Sequence, residues 1–443
     1  MPETANNFYG IHLTNFGENE EVIASEDIYN SQGVLLLKKG SFVNKKTADQ
    51  IIKFKLLKPI ESSVSIENSL QTDDLAADLK ALFDTYPSLG LIHSTKKLHK
   101  PIRDYARKAL NHPLLNQKVT VMRAETPKLY QQSLAVSWLS LAIGLQLQLP
   151  TERLDHLFTS GLVHDIGMLH IDPNVIAKKE SLTPEEWRQI QSHTVIGQKL
   201  TENISTLDKN VARIVLEHHE RCDGTGYPVG KFGEKLTLES QIIALSDSVI
   251  SVYLNKFHNT GKGVRDLIPF LQVNSESHFY SAYAAVITIL KSIQLEETCF
   301  INTKNKDAEI DKLLKKNTSL SQHIAYVEAL VFNDAFKCSH KLIASASSII
   351  QQILKTVRGS GVLDEGYIRW LKQVREQTLE HAFREIADVS LMLDELEWQL
   401  NRATKILNSF IHMGPETETQ LKQVIKESLY PPKEEENMDE YSI

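Results

Sequence analysis

Apolar positions along this chain change their spacing near residue 66. Before it, EEVIASEDI and GVLLLKKGSFV are short apolar runs separated by Asn30, Ser31, Gln32 and Gly33. That pattern predicts short strands about a turn, followed by a short helix through Thr47 to Phe54. From Ser69 onward the spacing is three and four. Leu75, Leu79, Leu82 and Phe83 follow it, as do Ile102, Tyr105, Ala106 and Leu110 after the start signal at Pro101, so helices with one buried face are expected. Pro87, Pro113 and Pro127 punctuate the same stretch.

Between about 126 and 295 the pattern is a series of helices joined by polar loops. Leu129 to Leu147 is strongly apolar, and Thr151 to His164 follows with Thr151 as N-cap and Leu154, Leu157, Phe158 and Leu162 as its apolar face. A third helix opens at Thr183-Pro184-Glu185-Glu186, where a hydroxyl cap precedes proline at the first helical position and a carboxylate at the third. A fourth, Val211 to Glu220, closes on two adjacent histidines, and after the loop Asp223-Gly224-Thr225-Gly226-Tyr227-Pro228 a fifth runs from Leu238 past Asp247. Beyond about 300, long helical runs from Asp307 to Arg358 and from Leu363 to Lys426 predict a bundle, with its break at Gly359-Ser360-Gly361. The expected fold is mainly α. It divides into a small β-rich regulatory module (1–65), a helical connector (66–125), an all-helical domain (126–295), a C-terminal helical bundle (300–428) and a disordered acidic tail (429–443).

Composition narrows the function. A length of 443 residues predicts two to four domains, and 42% apolar with 24% charged residues is ordinary for a globular chain. The net charge of −7 argues against a protein that grips a nucleic-acid polymer or an anionic membrane. Cys222, Cys299 and Cys338 are too far apart for a CxxC zinc site and odd in number, as in a reducing compartment. No stretch is long and apolar enough for a membrane helix, and MPETANNFYG lacks a leader pattern. A soluble, cytoplasmic protein is expected.

Histidine is abundant, with 16 in the chain. The chemical signal is the set His164-Asp165, His193, His218-His219 and Asp247, most of it at predicted helix ends, where packed helices can aim imidazoles and carboxylates into one cavity. Such a nitrogen and oxygen set suits Fe, Mn, Zn or Ni better than Ca or Mg. Six ligands exceed the needs of one tetrahedral zinc, and Asp165 can bridge, so two metals about 3.5 to 4 Å apart are expected, a pair of the kind that activates water for phosphoester hydrolysis. His93, His99, His112, His258, His278, His323, His340 and His381 read as ordinary surface or hydrogen-bonded residues.

The strings HDIG (164–167), LTPEEW (182–187), His193 with Gly197 four on, HHERCDGTGYP (218–228) and ALSD ending at Asp247 together resemble the HD-GYP family of bacterial phosphohydrolases, in order and spacing, across roughly 126 to 295. The resemblance implies an HD-type fold, a metal centre, and hydrolysis of cyclic di-GMP to linear pGpG or GMP in second-messenger signalling. It places His164, Asp165, His193, His218, His219 and Asp247 at ligand positions, with His164 and Asp165 catalytic. Gln132, in YQQSLAVSWLS, stands where the family has a further histidine ligand. The metal held by His164, Asp165 and Asp247 is therefore expected to be weak or absent, or to prefer Mn or Mg, and Fe or Mn is expected overall. The family's phosphate-side lysine is Met168, an aspartate is replaced by Ile250, and its arginine-rich stretch is reduced to NKFHNTGK. Lys256 and Lys128 are the cations left to meet a phosphate. Asp223, Gly224, Gly226, Tyr227 and Pro228 form the loop that the family uses to shape the site and to meet partner domains, so a protein partner is expected there. The alternative is a degenerate module that binds cyclic di-GMP or a protein without turnover, and the C-terminal helices are compatible with a sensor, a bundle that forms a homodimer or a partner-docking unit. His170 and Asp172 read as a solvated loop pair and Cys222 as a bystander.

Overall fold

A computed structural model describes residues 8–293, 299–333, 336 and 340–429. Cys338 and the expected tail, apart from Leu429, lie outside the described residues. The chain divides into two compact units, one of Met1–Cys222, Gly226–Leu267 and Ser277–Glu296, the other of Asp223–Thr225, Ile268–Glu276 and Glu297–Ile443.

The first unit opens with a helix, Phe8–Phe16, that the sequence pattern does not announce. FYGIHLTNF has little one-sided periodicity, because it buries residues around most of its circumference, including Tyr9, His12, Leu13 and Phe16. Strand Val22–Ala24 pairs antiparallel with Val64–Ile66, Val22 opposite Ile66. A second pair, Ile28–Tyr29 with Leu35–Leu37, closes over the turn foreseen at Asn30–Gly33. There Asn30 Oδ1 accepts from the backbone N–H of Gln32 and Val34, and Gly33 takes φ +80°. The short helix runs Lys45–Ile52.

A buried polar cluster joins this segment to the helices that follow. Lys118, on helix Pro113–Glu125 and 1% exposed, donates to Glu61 Oε1 at 3.1 Å and lies 3.7 Å above the Tyr9 ring. His170 stacks on that ring with its Nε2 3.3 Å from the ammonium. Next to Lys118, Gln117 Nε2 donates to the carbonyls of Glu61 and Val64. His170 is therefore packed against Tyr9 and Lys118, which corrects its reading as a solvated loop residue; Asp172 caps Asn174.

The long helix Pro127–Gln146 is buried from Ser133 to Gly144 and packs along Thr151–Val163. Small residues permit that close approach. A Cβ on Gly161 would lie 2.6 Å from Ser137 Cα, and one on Gly144 2.6 Å from the Leu157 side chain. Helices Thr72–Thr85, Pro87–Thr95, His99–Leu110, Pro184–Gln191, His193–Glu202, Lys209–Glu217, Leu238–Val252 and Tyr280–Lys291 belong to the same unit. Thr183 forms the expected capping box, its Oγ1 accepting from the Glu186 N–H at 3.2 Å while Glu186 accepts from the Thr183 N–H at 2.7 Å.

The second unit carries helices Lys306–Val331, Lys341–Ser360, Glu365–Gln377, Phe383–Met413 and Thr419–Leu429 around a core that includes Leu313, Leu320, Ile350, Leu396 and Phe410. The run expected from 307 to 358 is two helices, and the one from 363 to 426 is three, interrupted at Thr378 (φ +51°) and at Gly414-Pro415. Gly359 and Ser360 remain helical; the stop is Gly361 at φ +66°. Asn274 donates to Glu395 and accepts from Gln399 in this core, and Arg402 donates to the Thr225 carbonyl. Among the described residues no helix is long and apolar enough to cross a membrane.

Candidate metal centre

Helix ends bring the histidines together. His164 and Asp165 follow Thr151–Val163 and precede a 3-10 turn, Ile166–His170; His193 opens His193–Glu202; His218 and His219 close Lys209–Glu217; Asp247 lies within Leu238–Val252. Two glycines set the spacing. A Cβ on Gly167 would collide with the His193 carbonyl, and one on Gly197 would sit 2.8 Å from Val215 Cγ1. The G of HDIG and the glycine four after His193 therefore let the turn press directly on the next helix.

Each of three rings is fixed from behind by a backbone carbonyl three residues earlier. Nδ1 of His164 meets Gly161 O at 2.8 Å, that of His193 meets Ile190 O at 2.7 Å, and that of His218 meets Val215 O at 2.6 Å. A ring that donates from Nδ1 presents Nε2 as a lone pair, the tautomer used by metal-binding histidines. The Nε2 atoms of His193 and His218 face each other at 3.2 Å, and Asp165 Oδ1 lies 3.1 and 3.6 Å from them. Two lone pairs at that distance repel unless a proton or a cation lies between them. Bonds of about 2.1 Å to one metal would place its ligand atoms a little over 3 Å apart. Asp165, His193, His218 and His219 bring one ligand atom each to within 4.8 Å of one another. The residues present thus fit a divalent cation.

Electrostatics agree with that fit. Burial works against the Asp165 carboxylate, but His164 beside it and the His193 and His218 contacts hold it well below the usual carboxylate range. Burial lowers His218 and, with His218 and His193 adjacent, pushes His219 well down, so both rings stay neutral and available as ligands. His164 goes the other way: burial opposes its charge, but Asp165 and Asp247 raise it well above an ordinary histidine. Its Nε2 is buried without a hydrogen-bond partner, 3.4 Å from Asp165 Oδ2 and 3.7 Å from Asp247 Oδ1.

Gln132 reaches the same place from helix Pro127–Gln146 and donates from Nε2 to Asp247 Oδ1 at 2.8 Å. Met168 is half-buried in the 3-10 turn, whereas Lys128 and Lys256 are exposed, the latter on a π-helical turn after the helix that carries Asp247. In the loop, Asp223 Oδ1 accepts from the Thr225 N–H and hydroxyl, Gly224 takes φ +74°, and Pro228 follows a cis peptide bond. A Cβ on Gly226 would lie 2.5 Å from Glu220 Cα. Tyr227 donates its N–H to the His219 carbonyl, and its ring lies 4.6 Å from the His219 ring. Cys222 Sγ contacts Gln241 Oε1 at 3.3 Å.

Two acidic residues in this region were not singled out from the sequence. Glu220 is 1% exposed, and its carboxylate accepts from the N–H groups of Val229, Gly230 and Lys231, clamping the far end of the loop. Glu217, fully buried, accepts from Arg213, Lys231 and Ser240. Their spacing of three on the helical pattern, flanking the histidine pair, was the available signal. A second group, Glu152, His156 and Asp208, also comes within ligand distance, but both carboxylates are exposed and Asp208 caps helix Lys209–Glu217.

Residues 111–280 match the family described as HD domain. A Borreliella burgdorferi protein named cyclic di-GMP phosphodiesterase PdeB is 33% identical over 134 residues, covering 29% of this chain and 35% of that protein. A cyclic di-GMP phosphodiesterase of Pseudomonas aeruginosa is 28% identical over 169 residues, 38% of this chain and 40% of its own. A 3'3'-cGAMP-specific phosphodiesterase of Vibrio cholerae is 35% identical over 132 residues, 29% of each chain. The chain thus spans well under half the length of the curated relatives it matches.

Proposed function

We propose that the protein, whose residues 111–280 match the HD domain family, is a metal-dependent phosphodiesterase of the HD-GYP kind that opens cyclic di-GMP to pGpG or GMP. The observation that carries this reading is the pair of opposed imidazole nitrogens, His193 Nε2 and His218 Nε2, 3.2 Å apart beside Asp165. Asp165, His193, His218 and His219 would hold one Fe or Mn ion. His164, Asp165 and Asp247 would hold a second, more weakly, because a glutamine amide at 132 occupies Asp247 instead of an imidazole supplying a ligand. A bound divalent ion supplies Lewis acidity toward a phosphoryl oxygen and lowers the pKa of its water.

The chain's own residues do the rest. The carbonyls behind His164, His193 and His218 fix the rings before any ligand arrives, so little reorganisation is needed on binding. Asp165 stays ionised between them and is the residue suited to bridging. The buried carboxylates of Glu217 and Glu220 hold residues 229–231, just after Tyr227, whose ring lies against His219. Lys256 and Lys128 are the cations proposed to meet substrate phosphates. In this reading residues 1–65 are a regulatory module, 66–125 a connector and 126–295 the catalytic domain. Residues 300–428 would form a bundle that pairs two copies, and 429–443 a tail. A protein partner would meet the loop 223–228, and the protein would work in the cytoplasm.

Gln132 favours a second reading, a module that binds the dinucleotide without turning it over. The experiment measures metal content and turnover on one anaerobic sample of full-length protein loaded with Mn or Fe(II). One to two metals per chain with release of pGpG or GMP is the expected result. Metal and bound nucleotide without product would select the second reading, and absence of metal would sink both.

A further inference from the structure

The substrate grip implied by the site is short of charge. Met168 and Ile250 are apolar, and Lys128 and Lys256 are exposed cations at the chain surface. Beside the candidate metal centre, however, stands a half-exposed indole that is not part of the core. Trp187 is 45% exposed on helix Pro184–Gln191, which buries none of its residues. That helix is held by its capping box and by Glu186, which accepts from Lys178 Nζ at 2.7 and 2.8 Å. An indole left in water on a helix anchored by other means is a candidate binding surface rather than core.

Its position points to what it binds. The indole meets the Tyr227 ring edge to face, with centroids 6.1 Å apart and planes at 72°. Tyr227 lies against His219 at 4.6 Å and edge-on to His193 at 6.3 Å. A line of rings thus leads from two candidate metal ligands to an open indole. Resting on the reading of this centre as a cyclic-dinucleotide site, we propose that Trp187 is the platform on which a purine of the substrate stacks while its phosphate sits at the Asp165 and histidine cluster. In a cyclic dinucleotide each purine is carried on the ribose next to the phosphate, so a phosphate at the cluster brings a base toward its rim. Stacking on an aromatic face compensates for missing phosphate-side cations. It is also indifferent to base identity, since guanine and adenine both offer a π-face. Cyclic di-GMP and 3'3'-cGAMP are both expected to use Trp187.

The test titrates full-length, metal-loaded protein with a hydrolysis-resistant phosphorothioate analogue of cyclic di-GMP, and separately with inorganic phosphate as a ligand without a base. Trp187→Ala should weaken the dinucleotide about tenfold or more and shift phosphate affinity by less than about twofold. Trp187→Phe should restore most of the affinity, and Trp187→Leu, apolar but without a π-face, should not. Unchanged dinucleotide affinity in Trp187→Ala, or an equal loss of phosphate affinity, would overturn the platform and leave the phosphodiesterase reading standing. Wild-type protein that binds metal and phosphate but no cyclic dinucleotide would overturn both.

Discussion

Gln132 shows how one side chain changes the chemistry open to a site. Its amide satisfies Asp247 Oδ1 with a neutral donor, in a place where His164 Nε2 is left buried without a hydrogen bond. An imidazole at 132 would convert that donor into a metal ligand. Gln132→His should therefore raise metal content by about one ion per chain, or tighten the weaker ion by about 10- to 100-fold. Elemental analysis with competitive chelation checks this without any assay of turnover; unchanged content and affinity would show that Gln132 does not limit the second position. The candidate ligand residues themselves stand out in the sequence, because histidine–aspartate pairs at helix ends are chemically conspicuous. Glu217, Glu220 and Trp187 were not, since an acid on a helix or an aromatic after a cap has many ordinary uses, and only neighbours distant in sequence, such as the Val229–Lys231 backbone or the Tyr227 ring, give them a role.

The helix Phe8–Phe16, helix Pro113–Glu125 and the turn Ile166–His170 meet at Lys118, Glu61, Tyr9 and His170. The Lys118 ammonium and Glu61 carboxylate are nearly sealed from water, so each depends on the other. Removing one charge leaves the other buried and unpaired, whereas removing both together costs far less. Lys118→Met is expected to destabilise by about 3 to 5 kcal/mol, and Lys118→Met with Glu61→Leu should recover most of that, as read by urea unfolding. A double variant as unstable as the single one would contradict the pairing. Amphipathic helices with strong caps, such as Pro184–Gln191, were legible from local pattern. Phe8–Phe16 was hidden because burial around most of its surface erases periodicity, and the long C-terminal runs looked continuous because a break at Thr378 carries no glycine or proline signal.

The first unit also carries a pH response. Burial, with Lys118 close by, pushes His170 down to about 3, and burial with Arg221 nearby does the same to His278. Folded, both rings are neutral; unfolded, each takes a proton near its ordinary value of about 6.5. The unfolded chain thus binds more protons between about 6.5 and about 3. The stability these rings contribute is complete above the upper value and is lost as pH falls through the window, by up to about 1.4 kcal/mol per unit for each ring. Thermal melts should show His170→Asn flattening the decline between about pH 6.5 and 5; an unaltered slope would mean that His170 is not neutral in the fold.

Local pattern by itself determined the helical character, the strand-and-turn segment, the capping box at Thr183 and which residue types the site contains, because each depends on neighbours within a few positions. Tertiary structure alone decided that His193 and His218 face each other beside Asp165, that Gln132 partners Asp247, that His170 belongs to a buried cluster and that Trp187 stands beside the candidate metal centre. Those relations join residues far apart in sequence, Gln132 and Asp247 by 115 positions. Sequence spacing carries no distance across such separations; the packing of small residues such as Gly161 and Gly167 sets it.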